Sequence, residues 1–243
     1  MRMRGHSAED MPYDARYEPY FEAAGLLPFV IQFKRKPPAL NHTAITALID
    51  RWRPETHSFH LPCGEMTVTL QDFAMITALP IDGAALTGRV DLVGWRQRVL
   101  GLTSRLPPEK PEGVKDTRSS GVSYAWLRLF GPCPEGADAL VVQQYARAYM
   151  WYVLARVIFP DGSGDTASWM WLDPLRDWNV KYSWGSAGLD FLYRQVVYVC
   201  IFHVYLSCNF YLCIFHLTFI WHLTSLLLCS WTRHVVRRER EPR

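Results

Sequence analysis

His57, His60 and Cys63 stand at an H-x2-H-x2-C spacing, close enough in sequence for two imidazoles and a thiol to share a zinc ion. Structural zinc takes four such donors, usually from two paired knuckles. One knuckle is visible here, with Cys133 as the candidate fourth ligand, and the competing reading is polar hairpin residues beside a packed thiol. No metal is therefore expected. Asp161-Gly162-Ser163-Gly164-Asp165 puts two carboxylates on one short segment, but Trp171 and Leu172 stand where a calcium loop needs its final Glu. That segment reads as a turn. A pyridoxal-phosphate enzyme needs a Schiff-base lysine seated in a pocket. The lysines are Lys34, Lys36, Lys110, Lys115 and Lys181; the first four lie in loop-like sequence, and no phosphate cradle surrounds Lys181. No P-loop, nucleophile elbow or H-E-x-x-H pattern occurs. Arg53, Arg147 and Arg156 are expected as ion-paired scaffold residues. Neither a catalytic residue nor a cofactor is expected, and a metal-dependent enzyme at His57, His60 and Cys63 is the alternative.

Composition narrows the classes further. Apolar residues make up 49% and charged residues 20% of 243, as in chains that bury a core. The net charge is +3, and the last eleven residues supply all of it, with five arginines against Glu239 and Glu241. The rest sums to zero, so no nucleic-acid-binding face is implied. Without a basic groove, Trp52, Trp95, Trp126, Trp151, Trp169, Trp171, Trp178 and Trp184 are expected in the core rather than stacked on bases. Cys63 and Cys133 are far apart and the other four cysteines share one apolar run, which predicts no disulfide framework and a reducing compartment. The first ten residues have no apolar stretch, so no secretory leader is expected.

The elements that must position these residues are mostly helical. Residues 1–13 read as a flexible tail, and a helix is predicted over Arg16–Ala24 with Gly25 as its C-cap. Lys34 to Pro38 breaks the chain as a charged loop, or as a minimal nuclear-import signal. Asn41 caps a helix whose stripe is Ile45, Leu48, Ile49 and Trp52, and Pro54 ends it. Ser58–Leu61 and Glu65–Val68 form a short β-hairpin, around residues 58–68, about Pro62-Cys63-Gly64. Thr69 and Asp72 make a capping box for a helix that stops by Pro80, before an Asp82-Gly83 turn. Helices follow at Arg89–Leu100, Val122–Phe130, Ala137–Phe159, Ser168–Trp178 and Ser183–Gln195, with residues 103–121 an exposed linker. The longest, Ala137–Phe159, is apolar enough to run through the core centre. The fold class is mainly α, one multi-helix globular domain at 14–195 with one hairpin.

From Val196 to Trp231 there is no charged residue, and a basic tail follows at 232–243. The run is long enough for a transmembrane span. It has no Gly, Ala or Pro, yet carries His203, His216, His222 and Asn209, which are costly in lipid. Its residues are those of thymine-rich codons, so retained intron translated in frame is the favoured hypothesis, and a membrane anchor the alternative. A transcript spliced after Gln195 would decide for the first.

Leu48 to Gly88, LIDRWRPETHSFHLPCGEMTVTLQDFAMITALPIDGAALTG, resembles the hallmark segment of the plant mobile domain, also labelled aminotransferase-like and shared by the MAIN and MAIN-like proteins. Tyr20 to Leu26, the Trp95 helix, the Trp126-Leu127-Arg128 core and Tyr145 to Tyr149 resemble it too. So do Phe159 to Asp161, Tyr182 to Ala187 and Leu192 to Gln195, so that the similarity covers roughly 16–195 and then stops abruptly. The resemblance marks Trp52, Arg53, Pro54, Glu55, Thr56, His57, Phe59, Leu61 and Gly64 as motif or interaction candidates. Asp72, Pro80, Gly83, Trp126, Arg147, Tyr149, Trp184, Gly185, Ser186, Tyr193 and Arg194 join them. It implies a nuclear, non-enzymatic scaffold serving meristem maintenance and transposon silencing, with a type-7-like serine/threonine phosphatase as protein partner. The aminotransferase label finds no lysine to support it, and the sequence blocks of a metallophosphatase are absent. A transposon-derived or mis-spliced fragment without function is the alternative. The segment from Arg53 to Gly64 is the expected partner surface.

Overall fold

A computed structural model describes residues 10–34, 41–87, 94–108, 121–160 and 165–205. Eight α-helices and five short strands are found there: α1 Glu18–Ala23, α2 Leu27–Phe33, α3 His42–Ile49, β1 Trp52–Arg53, β2 Ser58–Leu61, β3 Gly64–Met66, α4 Leu70–Thr77, α5 Trp95–Thr103, β4 Gly121–Ser123, α6 Tyr124–Arg128, α7 Ala139–Val153, β5 Thr166–Ser168 and α8 Trp184–Tyr205. The fold is mainly α with small antiparallel sheets.

α7 is the axis of the core. Its residues from Ala146 onward are buried on every side, Arg147 included, as expected of a helix that neighbours surround. Asp138 starts it by accepting from Val141 N–H at 2.8 Å. It widens into a π-helical turn over Leu154–Ile158, closed by Phe159 N–H donating to Leu154 at 2.9 Å. Phe159 then lies flat on Trp171, ring centroids 3.6 Å apart. α8 packs against α3, α4 and β1. At Gly188 an added Cβ would sit 2.7 Å from the Phe73 ring, so glycine there lets α4 approach α8.

Several expectations are met locally. Asn41 accepts from Ala44 N–H at 3.1 Å, and Thr69 and Asp72 form the reciprocal capping box. The hairpin is present and tightens about Gly64, whose φ of +121° favours glycine.

Other expectations are corrected. Trp52 is not the last residue of the α3 stripe: the helix ends at Ile49, and Trp52 pairs with Phe59, making the hairpin a three-stranded sheet. Residues 121–123 are not helical but pair with 166–168, and the helix starts at Tyr124. Ser168–Trp178 is a strand end followed by 3-10 turns at Trp169–Trp171 and Asp173–Leu175, because Pro174 supplies no N–H to continue a helix. Residues 11–13 belong to the body rather than a tail: Met11 is buried and the Tyr13 hydroxyl donates to Glu18 at 2.8 Å. Of the expected exposed linker, Thr103 at the end of α5, Pro107, and Gly121 in β4 are buried, so its described ends belong to the body. α8 passes Gln195 without a break.

Among the described residues, no helix is long and apolar enough to cross a membrane. Most of the charge-free run and the basic tail, the Lys34–Pro38 breaker after Lys34, most of the linker and residues 161–164 of the Asp/Gly turn lie outside the described residues.

Candidate functional site

The motif residues fall into two places. The first is the sheet that follows α3. Trp52 is buried, with its ring edge-on to Phe59 at 4.8 Å and tilted against Tyr193 of α8 at 5.7 Å. The chain turns back at His57, whose φ is +49° and whose ring stacks on Tyr193 at 5.4 Å. The Tyr193 hydroxyl donates to the Val68 carbonyl at 2.5 Å and meets the Thr67 hydroxyl at 2.9 Å. Thr67 donates in turn to the His57 carbonyl at 2.5 Å. Tyr193 thus latches both ends of the sheet to α8. On the outer side Arg53, Glu55, Thr56, His60 and Gly64 are exposed, Pro54 and Leu61 are half-buried, and Ser58 bonds to Thr56 and Glu65. Removing the hydroxyl in Tyr193→Phe is expected to weaken the latch by about 1 kcal/mol. Amide exchange in residues 58–67 should accelerate several-fold while α7 stays protected, and unchanged exchange would show the latch to be idle.

His57, His60 and Cys63 are not gathered. His57 is held against α8, His60 faces Glu65 across β2 and β3, and the Cys63 thiol lies 3.7 Å from the Met66 sulfur. Cys133 is buried beside Arg16, in another part of the molecule, and burial pushes its thiol up. Among the described residues no group of three His, Cys, Asp or Glu is placed to hold a metal ion.

The second place is a joint between two motif blocks remote in sequence. Gly185 N–H donates to Pro80 at 2.8 Å, and the Ser183 hydroxyl donates to the Ile81 carbonyl at 2.8 Å and contacts Ser186 at 2.7 Å. Ala84 N–H donates to Lys181 and Ser183 N–H to Ala84, each at 2.9 Å. The approach demands two glycines: a Cβ at Gly83 (φ +108°) would sit 2.5 Å from the Lys181 carbonyl oxygen, and one at Gly185 2.7 Å from Ile81. Trp184, 1% exposed, anchors the joint in the core. Beside it opens a cleft of about 380 Å3, walled by residues 85–87, Met170, Trp171, Asp173, Pro174, Arg176, Asp177 and Tyr182. Asp173 pairs with both Arg98 (3.4 Å) and Arg176 (3.0 Å). Of these residues sequence reasoning named Trp171 among the core tryptophans and 85–87 and Tyr182 within motif blocks, and it missed Asp173, Arg176 and Asp177, which carry no periodicity or spacing signal.

The remaining motif residues lie outside these two places. Arg147 is buried and, contrary to expectation, pairs with no carboxylate among the described residues; it donates to the Leu175 and Arg176 carbonyls and to Gln143, and burial holds its pKa below the usual guanidinium range. Arg156 does pair with Asp10, at 3.4 Å, and lies over the Tyr124 and Tyr152 rings. Arg53 is exposed and pairs with no carboxylate among the described residues. Tyr149 is fully buried among Tyr13, Tyr17 and Phe21, which raises its phenol pKa. Trp126 packs edge-on against Phe130 and Trp151. Arg194 pairs with Asp190 one turn earlier on the exposed face of α8.

Residues 29–226 match the plant mobile domain. The chain belongs to the plant mobile domain family. The match runs past Gln195 into the charge-free run. Among curated proteins of Arabidopsis thaliana, the chain is 40% identical to Protein MAIN-LIKE 1 over 164 residues, 66% of this chain and 32% of that protein. It is 40% identical over 160 residues to a protein named Serine/threonine-protein phosphatase 7 long form homolog, covering 65% of this chain and 12% of that one. To Protein MAINTENANCE OF MERISTEMS it is 36% identical over 162 residues, 65% of this chain and 33% of the relative. The chain thus spans about a third or less of each of these relatives. No solved structure matches it significantly. The plant mobile domain residues singled out in the sequence are therefore the sheet held by Tyr193, the joint about Gly185, and core residues around α7.

Proposed function

We propose that this plant mobile domain is a nuclear, non-enzymatic interaction scaffold, serving meristem maintenance and transposon silencing through a type-7-like serine/threonine phosphatase partner. One observation carries the reading: the 53–64 segment is fastened to α8 from beneath by Trp52, His57 and Tyr193, while Arg53, Glu55 and His60 are exposed with no core role. A rigid backing with free polar groups is what a partner surface needs, since ordering costs are met before binding. The names of two relatives, one a phosphatase 7 long form homolog and one a maintenance-of-meristems protein, support the choice of partner and process.

Arg53→Ala with Glu55→Ala is expected to lower capture of a recombinant type-7-like phosphatase by the full chain about tenfold or more, the size of a modest interface hot spot. The circular dichroism spectrum should not change. Equal capture would remove this patch from the interface. Stoichiometric zinc in the purified chain would instead favour an enzyme.

A further inference from the structure

We propose that Arg128, Arg156 and Tyr152 form a binding site for a phosphorylated serine or threonine side chain of a partner polypeptide, and that Asp10 is the resident stand-in for that anion. The proposal goes beyond the scaffold reading and would stand if Arg53 and Glu55 proved idle. Three features of the cluster lead to it.

The first is charge. Arg128 Nη1 at 3.2 Å and Arg156 Nη2 at 3.4 Å both donate to one oxygen of Asp10, Oδ2. Two cations thus converge on one carboxylate, and both contacts are longer than the roughly 2.7–2.9 Å of a strong charge-assisted bond. A phosphate monoester brings three acceptor oxygens and about −1.5 to −2 charge, so it can meet both guanidiniums at once.

The second is a donor without an acceptor. Tyr152 is wholly buried, and its hydroxyl finds no hydrogen-bond partner in the protein. The charges that act on it are those of Arg156, Asp10 and Arg128, which places the hydroxyl within the same cluster. Burial raises its pKa, so it stays a neutral donor. A buried donor left unsatisfied is costly, and a further phosphate oxygen would satisfy this one.

The third is preorganisation. Arg156 is carried on the π-helical turn Leu154–Ile158, a distortion that recurs at functional sites. Its guanidinium lies over the rings of Tyr124 and Tyr152, 5.6 Å from each. Those rings stand edge-on to each other at 5.5 Å, and the Tyr124 hydroxyl is tied to the Ala155 carbonyl at 2.8 Å. Little ordering is therefore left to the binding step. The Asp10 and Arg128 side chains are 45% and 41% exposed, so the cluster is open to solvent on their side. Its occupant is already an anionic side chain carried on a polypeptide, which is the form in which the phosphate is expected to arrive.

The test uses the full chain and a fluorescein-labelled, acetylated Ala-Ala-phosphoserine-Ala-Ala amide, read by fluorescence anisotropy near neutral pH. Saturable binding is expected, and none by the unphosphorylated peptide. Asp10→Asn removes the tethered competitor and should tighten binding about fivefold. Arg128→Gln should weaken it about tenfold, the loss of one charge-assisted contact. Tyr152→Phe should weaken it about threefold without lowering the urea midpoint, because the hydroxyl it removes has no partner within the protein. Asp10 and Arg128 are exposed, so their variants are expected to fold, and native circular dichroism spectra check this. The proposal is overturned if the phosphopeptide does not bind the Asp10→Asn chain saturably, if Asp10→Asn fails to tighten binding, or if Arg128→Gln binds as tightly as the unaltered chain. It is also overturned if inorganic phosphate alone competes as well as the unlabelled phosphopeptide, which would mark a free-phosphate site.

Discussion

Trp184→Ala is expected to lower the stability of the domain by about 3–5 kcal/mol, the range for truncating a large buried aromatic. Total stabilities are about 5–15 kcal/mol, so the variant should sit near the edge of folding. The side chain is 1% exposed, with its ring against Phe159 at 6.3 Å and Tyr182 at 6.2 Å. Phe159 is itself stacked on Trp171, so the cavity would open under the floor of the cleft. Trp184 is also the first residue of α8, immediately before the Gly185 N–H that holds Pro80. Its loss should loosen the joint as well as the core. Urea denaturation followed by circular dichroism measures the effect, and Trp184→Phe should recover more than half of it by refilling most of the volume. An alanine variant within about 1 kcal/mol of the unaltered chain would show that the surrounding rings collapse into the space.

What could be read in the sequence was what is local. Asn41, Thr69 and Asp72 act on N–H groups three residues away, so their caps can be recognised from spacing alone. The β2–β3 turn is equally local. By contrast β4 and β5 are three residues each, too short for periodicity, and their pairing joins segments on either side of α6 and α7. Trp52 fitted the α3 stripe, but the pairing with Phe59 outweighed one more helical turn before Pro54. The candidate sites divide the same way. Resemblance marked Pro80, Gly83, Gly185 and Ser186, yet not that they meet, because the bonds between them run largely through backbone groups that any residue carries.

Arg147 makes the same point energetically. A charged residue on the most apolar helix invites a carboxylate partner, and the structure supplies carbonyl oxygens instead: Leu175 at 3.0 Å, Arg176 at 3.2 Å and the Gln143 side chain at 2.8 Å. The two backbone acceptors lie where the 173–175 turn ends, where carbonyls lack intrahelical partners and the dipole favours a cation. Arg147→Met should therefore destabilise by about 2–4 kcal/mol, because it orphans the buried Leu175 carbonyl and the part-buried Arg176 carbonyl. Part of that loss is offset, since a buried charge without a counter-ion no longer has to be desolvated. Arg147→Lys should fall between, as one ammonium cannot reproduce the fork that reaches both carbonyls. Salt separates this arrangement from the ion pair first expected. A surface pair weakens between about 0.05 and 0.5 M salt as the screening length shrinks. The difference between Arg147→Met and the unaltered chain should stay constant across that range in paired urea titrations. A difference that halves with salt would mean that Arg147 answers a carboxylate after all.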